Sequence, residues 1–349
     1  MKKPRVCVIF GGKSQEYNVS LHSAYSVLSA INKDKYIVSS VGITKEGKWY
    51  LYGGDIDNIL NDSWLSDTNN ILPATIDIFN EGVSVFHGIT TFFKPDLVIP
   101  MVHGEWCEDG RLQGILESAL IPYLGCDSYS SFLCYNKLFT KELAKGLGIR
   151  TANHILVSQR DISSFYKIIS AAKELKPPFF VKPVYGGSSI GASRVDSVSD
   201  LFSACLSALK LSDFALIEEF IEGTECEVGI LSSKGELIIS EVGSIDYDSD
   251  FYDYEAKYSD SSVKYNIPAK VSEIAREEIK GYARLLASTL NLKAPCRLDF
   301  FVDKKGLVYL NEINTLPGFT KGSMYPMLFK AMGYTLTSLI DCLIDSALA

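Results

Sequence analysis

A β-hairpin near the carboxyl end of the chain restricts the fold more than any other segment. Two apolar runs, 296–302 and 307–314, flank the polar turn 303–306. Side chains of a strand alternate between the two faces of a sheet, so the charged and amide residues of both runs fall on one face. These residues are Arg297, Asp299, Glu312 and Asn314. The chain must therefore contain an antiparallel sheet that carries a polar face in an apolar setting.

The register of this hairpin brings carboxylates together. A turn at 303–306 sets Arg297 opposite Glu312. Asp299 is then opposite Leu310, and its diagonal neighbour is Glu312, about 7–8 Å away, so both carboxylates reach the same ions. Carboxylate and amide oxygens suit Mg²⁺, which keeps waters and phosphates in its coordination shell. The alternative is a surface salt bridge between Arg297 and Glu312. The predicted metal ligands are Asp299, Glu312 and Asn314.

A second signal is a lysine at the end of a buried strand, followed by a glycine- and serine-rich loop. Lys182 closes the strand 179–182, and the loop 186–191 reads Gly-Gly-Ser-Ser-Ile-Gly. Glycines let backbone N–H groups approach an anion closely, and hydroxyl groups add donors. The spacing is not the Walker pattern, and such a loop can equally be a flexible turn. The adjacent lysine favours a phosphate site.

The amino-terminal part shows the alternation of a doubly wound α/β sheet. The apolar run 6–10 ends at two glycines and precedes a helical pattern, and a second buried run, 96–102, ends at His103. Ligands of such sheets bind at the carboxyl ends of the strands, which makes Glu16 and His103 candidates. Glu16 can also be a carboxylate favoured by the helix dipole, and a lone histidine can be structural. Farther on, the segment 131–147 is expected to form one helix.

Composition excludes several classes of protein. The chain has 349 residues, 47% hydrophobic and 22% charged, which is enough for two or three domains. A net charge of -8 argues against a duplex nucleic-acid binder. The eight cysteines form no CxxC pair, so they are expected as buried thiols in a reducing compartment. No apolar run approaches 18 residues. We therefore expect a cytoplasmic protein without a nucleic-acid or membrane partner.

Two further segments have both a functional and an ordinary interpretation. The stretch 217–225 holds four glutamates around a phenylalanine. It is either a solvated acidic linker or a site for adenine and ribose. The stretch 246–266 is rich in tyrosine, aspartate and serine and has no periodicity. A loop of this length in a compact domain is usually functional or disordered.

In this order, the motifs resemble the ATP-grasp superfamily and, within it, the D-alanine–D-alanine ligases and their vancomycin-resistance relatives. The most specific segments are 251–258 and 310–320, and the resemblance covers essentially the whole chain. It implies a three-domain α+β ATP-grasp fold, in which a doubly wound α/β domain precedes two α+β domains that clasp ATP. Members are commonly homodimers. The implied ranges are 1–127, 128–221 and 222–349 for the domains and 246–266 for a lid loop.

The resemblance also implies a reaction. ATP phosphorylates the carboxylate of D-alanine, and the amino group of a second D-amino acid attacks the acyl phosphate; two Mg²⁺ ions, with Mn²⁺ as an alternative, assist. Glu16 would bind the first ammonium group beside Ser188 and Tyr258, and Arg297 would stabilise the oxyanion. The other implied catalytic residues are His103 and Lys257. The implied ATP contacts are Lys137, Lys182, Ser189, Glu219, Phe220, Ile221, Glu225, Lys257 and Asn311. The implied substrate contacts are Glu16, Tyr17, His103, Arg297, Gly318, Ser323 and Met324.

Two departures from the common housekeeping pattern favour D-serine as the second substrate. Tyr17 stands where a basic residue is common, and the segment 321–324 replaces a common Ser-x-Ser-Leu. Tyr17 and the run 64–67 look like the D-alanine–D-serine resistance ligases, whose dipeptide lowers the affinity of vancomycin. Lys257 and Tyr258, which D-lactate members usually lose, are present. The alternatives are a housekeeping D-alanine–D-alanine ligase, another ATP-grasp carboxylate–amine ligase and an idle ATP-binding protein.

Overall fold

Three β-sheets organise the chain in a computed structural model that describes residues 2–246 and 264–349. The first sheet comprises β1 (Arg5–Gly11), β2 (Ile37–Ile43), β3 (Trp49–Tyr52), β4 (Ile71–Asp77), β5 (Gly82–His87), β6 (Ile89–Phe93) and β7 (Leu97–Met101). Its strand order is β6-β5-β4-β3-β2-β1-β7. Strand β1 pairs in parallel with β2 and with β7, as a doubly wound unit requires. The antiparallel extension from β3 to β6 has no counterpart in the sequence analysis.

The two remaining sheets follow in chain order. The second comprises β8 (His154–Ser158), β9 (Phe179–Pro183), β10 (Ser193–Val195) and β11 (Phe214–Glu219), in the order β10-β9-β11-β8. The third comprises β12 (Gly223–Ser233), β13 (Glu236–Ile239), β14 (Gly243–Asp246), β15 (Lys264–Asn266), β16 (Cys296–Asp303) and β17 (Val308–Asn314). Its order is β15-β14-β12-β16-β17, and β13 pairs with β12. Each sheet lies within one of the segments 1–127, 128–221 and 222–349, a division that we keep as a proposal.

Helices cover and connect the sheets. They are α1 (Tyr17–Ala30), α2 (Ile56–Leu60), α3 (Arg111–Ser118), α4 (Ser128–Tyr135), α5 (Lys137–Gly146), α6 (Phe165–Ala172), α7 (Leu201–Leu209), α8 (Glu273–Thr289), α9 (Met324–Ala331) and α10 (Leu336–Leu348). The single helix expected over 131–147 is wrong. The side-chain oxygen of Asn136 accepts a hydrogen bond from the Phe139 amide at 3.0 Å and begins a new helix, α5.

The hairpin of β16 and β17 is confirmed, but its predicted register is wrong. Asp299 lies directly opposite Glu312, and Arg297 lies opposite Asn314. The turn is one residue longer than expected, because the Asp303 carboxylate accepts the amide of Leu307 at 2.9 Å. A β-bulge between Asp299 and Phe300 in the pairing then shifts the register again. The four polar residues still share one face.

The carboxyl-terminal helices return to the first sheet. Leu339, Ile340, Leu343 and Ile344 of α10 belong to the same buried apolar cluster as strand β1. Among the residues that the structure describes, no single helix has the length and apolar composition to cross a membrane. Helices α9 and α10 satisfy those criteria only when joined, and they are bent by 99°.

Packing of β2 against a buried tryptophan gives a stability prediction. A Cβ atom on Gly42 would lie 2.5 Å from Trp64 Cη2 and 2.8 Å from Phe10 Cζ. We expect Gly42→Ala to lower the free energy of unfolding by about 1–3 kcal/mol because the core cannot accept another methyl group. Urea denaturation measures the change. Gly114→Ala, in helix α3 with open space around the new Cβ, is the control and should be neutral or stabilising.

Candidate active site

Two adjoining cavities bring together most of the residues singled out in the sequence. The first cavity lies between the second and third sheets, and the second lies toward the first sheet. Lys137, Gly186, Gly187 and Glu312 line both cavities, so the two spaces meet there. The predicted ATP residues that line the first are Lys137, Lys182, Ser189, Glu219, Phe220, Ile221, Glu225 and Asn311. The predicted residues that line the second are Glu16, His103, Ser188, Arg297, Glu312, Asn314, Gly318, Ser323 and Met324.

Three predictions fall elsewhere. Asp299, a predicted metal ligand, lines neither cavity and is only 2% exposed. Lys257, Tyr258 and most of the expected lid loop 246–266 lie outside the described residues. Tyr17 is buried in the first core, where its hydroxyl donates to Asp62 at 2.9 Å and accepts from Trp64 at 3.1 Å. Tyr17 lines neither cavity, so the structure does not bring it to the place where a substrate contact was predicted. Glu16 begins the same helix but faces the cavity, because the next residue of a helix turns about 100° away.

The glycine-rich loop is tied to the amino-terminal domain at Glu16. Ser188 donates a hydrogen bond to a carboxylate oxygen of Glu16, and a Cβ on Gly187 would lie 3.1 Å from the other oxygen. Lys137 donates from its ammonium group to the carbonyl of Gly186. Ser188 has a left-handed φ of 51°, an unusual conformation for a residue with a side chain. The loop thus closes over the junction of the two cavities.

A set of buried charges faces the first cavity. Lys182 lies in β9 opposite Leu216 of β11, so Glu218, two residues farther, shares its face. The Glu218 carboxylate makes ion pairs with Lys182 and Lys141, each at 3.1 Å. Burial lowers the pKa of Lys141 to about 8, partly offset by Glu218. Burial opposes the charge of Glu218, but Lys141 and Lys182 hold its pKa below the ordinary value.

Arg297 is fixed by two carboxylates at the second cavity. Its Nε and Nη2 donate to the two oxygens of Asp299 at 2.7 Å each, and Nε lies 3.0 Å from Glu227. Burial disfavours the charge, yet Asp299 and Glu227 keep the pKa of Arg297 well above its usual value. The alternative of a salt bridge between Arg297 and Glu312 is wrong. Glu312 lies instead 3.8 Å from the Lys137 ammonium group.

The polar face of the hairpin fits a hard cation that also binds phosphate. Asp299 and Glu312 are directly opposite in the sheet, and Asn314 follows on the same face. A carboxylate offers about four lone-pair positions, of which Arg297 uses two on Asp299. Within residues 2–246 and 264–349, no three acidic, histidine or cysteine side chains form a complete metal cage. This incomplete set of oxygen donors suits Mg²⁺, which takes its other ligands from phosphates and water.

His103 joins two elements at the edge of the second cavity. Its Nδ1 lies 3.1 Å from the carbonyl of Leu316, and its Nε2 lies 2.9 Å from the Ser23 hydroxyl. A carbonyl only accepts, so Nδ1 donates and Nε2 accepts from Ser23. Both nitrogens of the neutral ring are thereby engaged. Burial lowers the pKa of His103 to about 4. The geometry favours the structural alternative for this residue.

Hydroxyl groups occupy the far end of the second cavity. The Ser323 hydroxyl accepts the Thr320 amide at 3.0 Å and lies 2.9 Å from the Thr320 hydroxyl. A Cβ on Gly318 would lie 2.8 Å from that same Ser323 oxygen, so the wall needs glycine here. Met324 is buried beside them against Ile245. This end of the cavity combines hydroxyl groups with an apolar wall.

The sequence analysis assigned no individual role to four charged residues of the site. Lys141 follows Lys137 by one helical turn, a spacing that could have revealed it. Glu218 and Glu227 lie on strands whose alternation gives the same kind of signal. Glu108 lines the second cavity, and burial together with the charge of Glu16 raises its pKa, which favours the protonated acid. No sequence pattern marks Glu108, because its burial depends on the packing of other segments.

Two sheets that enclose a lysine-lined cavity, beside a doubly wound domain, define an ATP-grasp ligase. Family models match the chain as the D-ala D-ala ligase N-terminus over residues 5–126 and the D-ala D-ala ligase C-terminus over residues 143–345. The chain belongs to the D-alanine–D-alanine ligase family, as its motifs predicted, and its α+β fold is that of the family. Membership of this family implies the use of ATP and Mg²⁺.

Individual relatives fall into two named groups. A D-alanine–D-alanine ligase of Acetivibrio thermocellus is 38% identical. The match covers 99% of this chain and 96% of that protein. The vancomycin C-type resistance protein VanC1 of Enterococcus gallinarum is also 38% identical, with 99% of this chain and 98% of that protein covered. The crystal structure of VanG D-Ala:D-Ser ligase from Enterococcus faecalis superposes with a TM-score of 0.90 at 36% identity, covering 99% of this chain and all of that one.

The lowered pKa of His103 predicts a pH-dependent stability. Between its folded pKa of about 4 and the ordinary 6.5, the unfolded state binds more protons, so stability falls as the pH drops through this range. At pH 5 the loss relative to pH 7.5 should be about 2 kcal/mol from this group. His103→Gln should remove that part of the slope in urea titrations. His22→Gln, at an exposed position of α1, is the control, and an equal change in both variants would contradict the assignment.

Proposed function

We propose that this chain joins the carboxyl group of D-alanine to the amino group of a second D-amino acid, with D-serine preferred over D-alanine, and converts ATP to ADP and phosphate. The observation that carries the proposal is the junction of the two cavities. Lys137 and Glu312 line both, so a terminal phosphate in the first cavity comes next to a carboxylate in the second. The product would be a dipeptide precursor of peptidoglycan that lowers the affinity of vancomycin.

The reaction would proceed in two bond changes. A carboxylate oxygen of D-alanine bonds to the terminal phosphorus while the bond to ADP breaks, which gives D-alanyl phosphate. The amino nitrogen of the second substrate, after losing a proton, then bonds to the acyl carbon. Phosphate leaves with the electrons of the C–O bond. Lys137 and Lys182 would neutralise phosphate oxygens, which is the principal demand of phosphoryl transfer.

The remaining residues would bind and orient the two amino acids. Glu16, held by Ser188, would bind the ammonium group of the first D-alanine. Arg297, fixed in a bidentate pair with Asp299, would face the oxyanion as its charge develops. A guanidinium that is already oriented needs no reorganisation during the reaction, which makes the interaction effective. His103 would position the wall of the site rather than transfer a proton.

Asp299, Glu312 and Asn314 would hold two Mg²⁺ ions together with the phosphates of ATP, with Mn²⁺ as an alternative ion. When bound, the ions would supply positive charge to the phosphate oxygens. Glu219, Phe220, Ile221 and Glu225 would hold adenosine, beside Ser189 and Asn311. Lys257 and Tyr258 of the lid loop 246–266 would complete the site and exclude water from the acyl phosphate. We also propose a cytoplasmic homodimer that requires no nucleic acid or membrane.

The metal assignment predicts the behaviour of two variants. Glu312→Gln and Asp299→Asn should each lower turnover at least a hundredfold, because several kcal/mol of transition-state stabilisation depend on the bound cation. ADP release with saturating ATP, Mg²⁺ and D-alanine measures the effect. Glu236→Gln removes an exposed carboxylate from the same sheet and should keep normal turnover. Near-normal activity in both site variants would contradict the metal assignment.

The preference for D-serine is supported by the hydroxyl-lined end of the second cavity. Thr320 and Ser323 can exchange hydrogen bonds with an added hydroxyl, and unbranched Met324 leaves room for it. A site that binds a substrate hydroxyl rejects the analogue that lacks it, because its own polar groups are left unpaired. VanG, named a D-Ala:D-Ser ligase, adds support. Named D-alanine–D-alanine ligases are equally similar in sequence, so that activity is the alternative.

Competition between the two substrates tests this preference. With ATP, Mg²⁺, D-alanine and equimolar D-serine at pH 7, we expect D-alanyl-D-serine as the main product. Ser323→Ala should lower the ratio of D-alanyl-D-serine to D-alanyl-D-alanine about tenfold, the effect of one hydrogen bond of about 1.4 kcal/mol. Product analysis by mass spectrometry reads both results. Mainly D-alanyl-D-alanine from the unchanged protein would assign it to the housekeeping class.

A further inference from the structure

A buried row of charged side chains reaches the first cavity from helix α5. The Glu218 carboxylate lies between two ammonium groups, with Lys141 Nζ 3.1 Å from Oε1 and Lys182 Nζ 3.1 Å from Oε2. Lys182 also donates to the side-chain oxygen of Asn311 at 3.1 Å. Lys141 is only 1% exposed and Glu218 4%. Charges this deeply buried persist only when each is paired, so the row behaves as one unit.

The net charge of this row determines how strongly an anion in the first cavity is attracted. Lys182 and Glu218 alone would form a neutral pair, and the carboxylate would cancel most of the attraction of Lys182 for an anion. Lys141 adds a second positive charge on the other oxygen of the same carboxylate. The row of three then carries one net positive charge, at the place where the glycine-rich loop and Lys137 also meet the cavity.

Helix α5 carries the lysine that supplies this additional positive charge. Lys137 and Lys141 are four residues apart and therefore share one face of the helix. Lys137 faces Glu312 of the third sheet at 3.8 Å, whereas Lys141 faces Glu218 of the second sheet. Lys145, one turn farther, is exposed and pairs only with Glu142 of its own helix, at 3.0 Å, among the contacts that the structure describes. The helix thus has two lysines directed inward and one directed to solvent.

We propose that Lys141 is a positioning residue for the phosphates of the nucleotide, acting through Glu218 on Lys182. It neutralises the Glu218 carboxylate, so Lys182 keeps its attraction for phosphate, and it fixes the carboxylate that orients Lys182. This inference rests on the proposed nucleotide site. It differs from a purely structural role of the ion pair, which would affect folding and would not distinguish between ligands with and without phosphates.

Calorimetry with two probes tests the proposal. The probes are ATP with Mg²⁺ in the absence of D-alanine, and adenosine, which carries no phosphate. In Lys141→Met we expect ATP to bind about tenfold more weakly and adenosine to bind within twofold of the unchanged protein. Lys145→Met is the matched control on the same helix and should leave both affinities unchanged. Equal weakening of both probes, or of neither, would overturn the proposal.

Two further variants keep the result interpretable. Lys141→Gln removes the charge but keeps a hydrogen-bond donor near Glu218, and it serves if Lys141→Met does not fold. The double variant Lys141→Met/Glu218→Gln should regain most of the ATP affinity, because the uncompensated carboxylate is then gone. Without that recovery the charge argument is wrong. If the unchanged protein binds no ATP, the proposed function fails with the inference; if it binds ATP and Lys141→Met binds equally well, only the inference fails.

Discussion

The site depends on one constraint: a charged side chain in its interior needs a partner of opposite charge. Arg297 is half-buried between Asp299 and Glu227, and its guanidinium forms two hydrogen bonds of 2.7 Å to the Asp299 carboxylate. Removing Arg297 would take its compensating charge away from the buried carboxylates of Asp299 and Glu227, which costs several kcal/mol. The neighbouring backbone must therefore hold the strands of the third sheet in one register. The bulge that sets Asp299 opposite Glu312 is part of that register, so the ionic contacts and the sheet determine each other.

Contacts of charged side chains also connect the three sheets. Lys137 of α5 faces the third sheet at Glu312, and Lys141 of the same helix faces the second sheet at Glu218. The amino-terminal segment contributes Glu16, the N-cap residue of α1, which accepts a hydrogen bond from Ser188 of the glycine-rich loop. The two cavities therefore meet between Lys137 of α5, Glu312 of the third sheet and the glycine-rich loop. This arrangement fits a ligase that must bring a phosphate and a carboxylate together.

Membership of the D-alanine–D-alanine ligase family is established over nearly the whole chain. What distinguishes members is the second amino acid, and overall identity does not separate them, since a D-alanine–D-alanine ligase and VanC1 are both 38% identical. Under the proposed preference for D-serine, the difference of one hydroxyl group would be read by Thr320 and Ser323, which line the second cavity. Discrimination of this kind arises from local hydrogen bonding and leaves the fold unchanged.

The sequence by itself determined the doubly wound first unit, the hairpin with its polar face, the glycine-rich loop after Lys182 and the family, because strand alternation and glycine turns are local properties. Only the tertiary structure decided the hairpin register, which depends on the Asp303 turn and a bulge. It also decided the burial of Tyr17 and the engagement of both His103 nitrogens. Pairing, burial and pKa depend on groups distant in the chain, which a pattern within one segment does not contain.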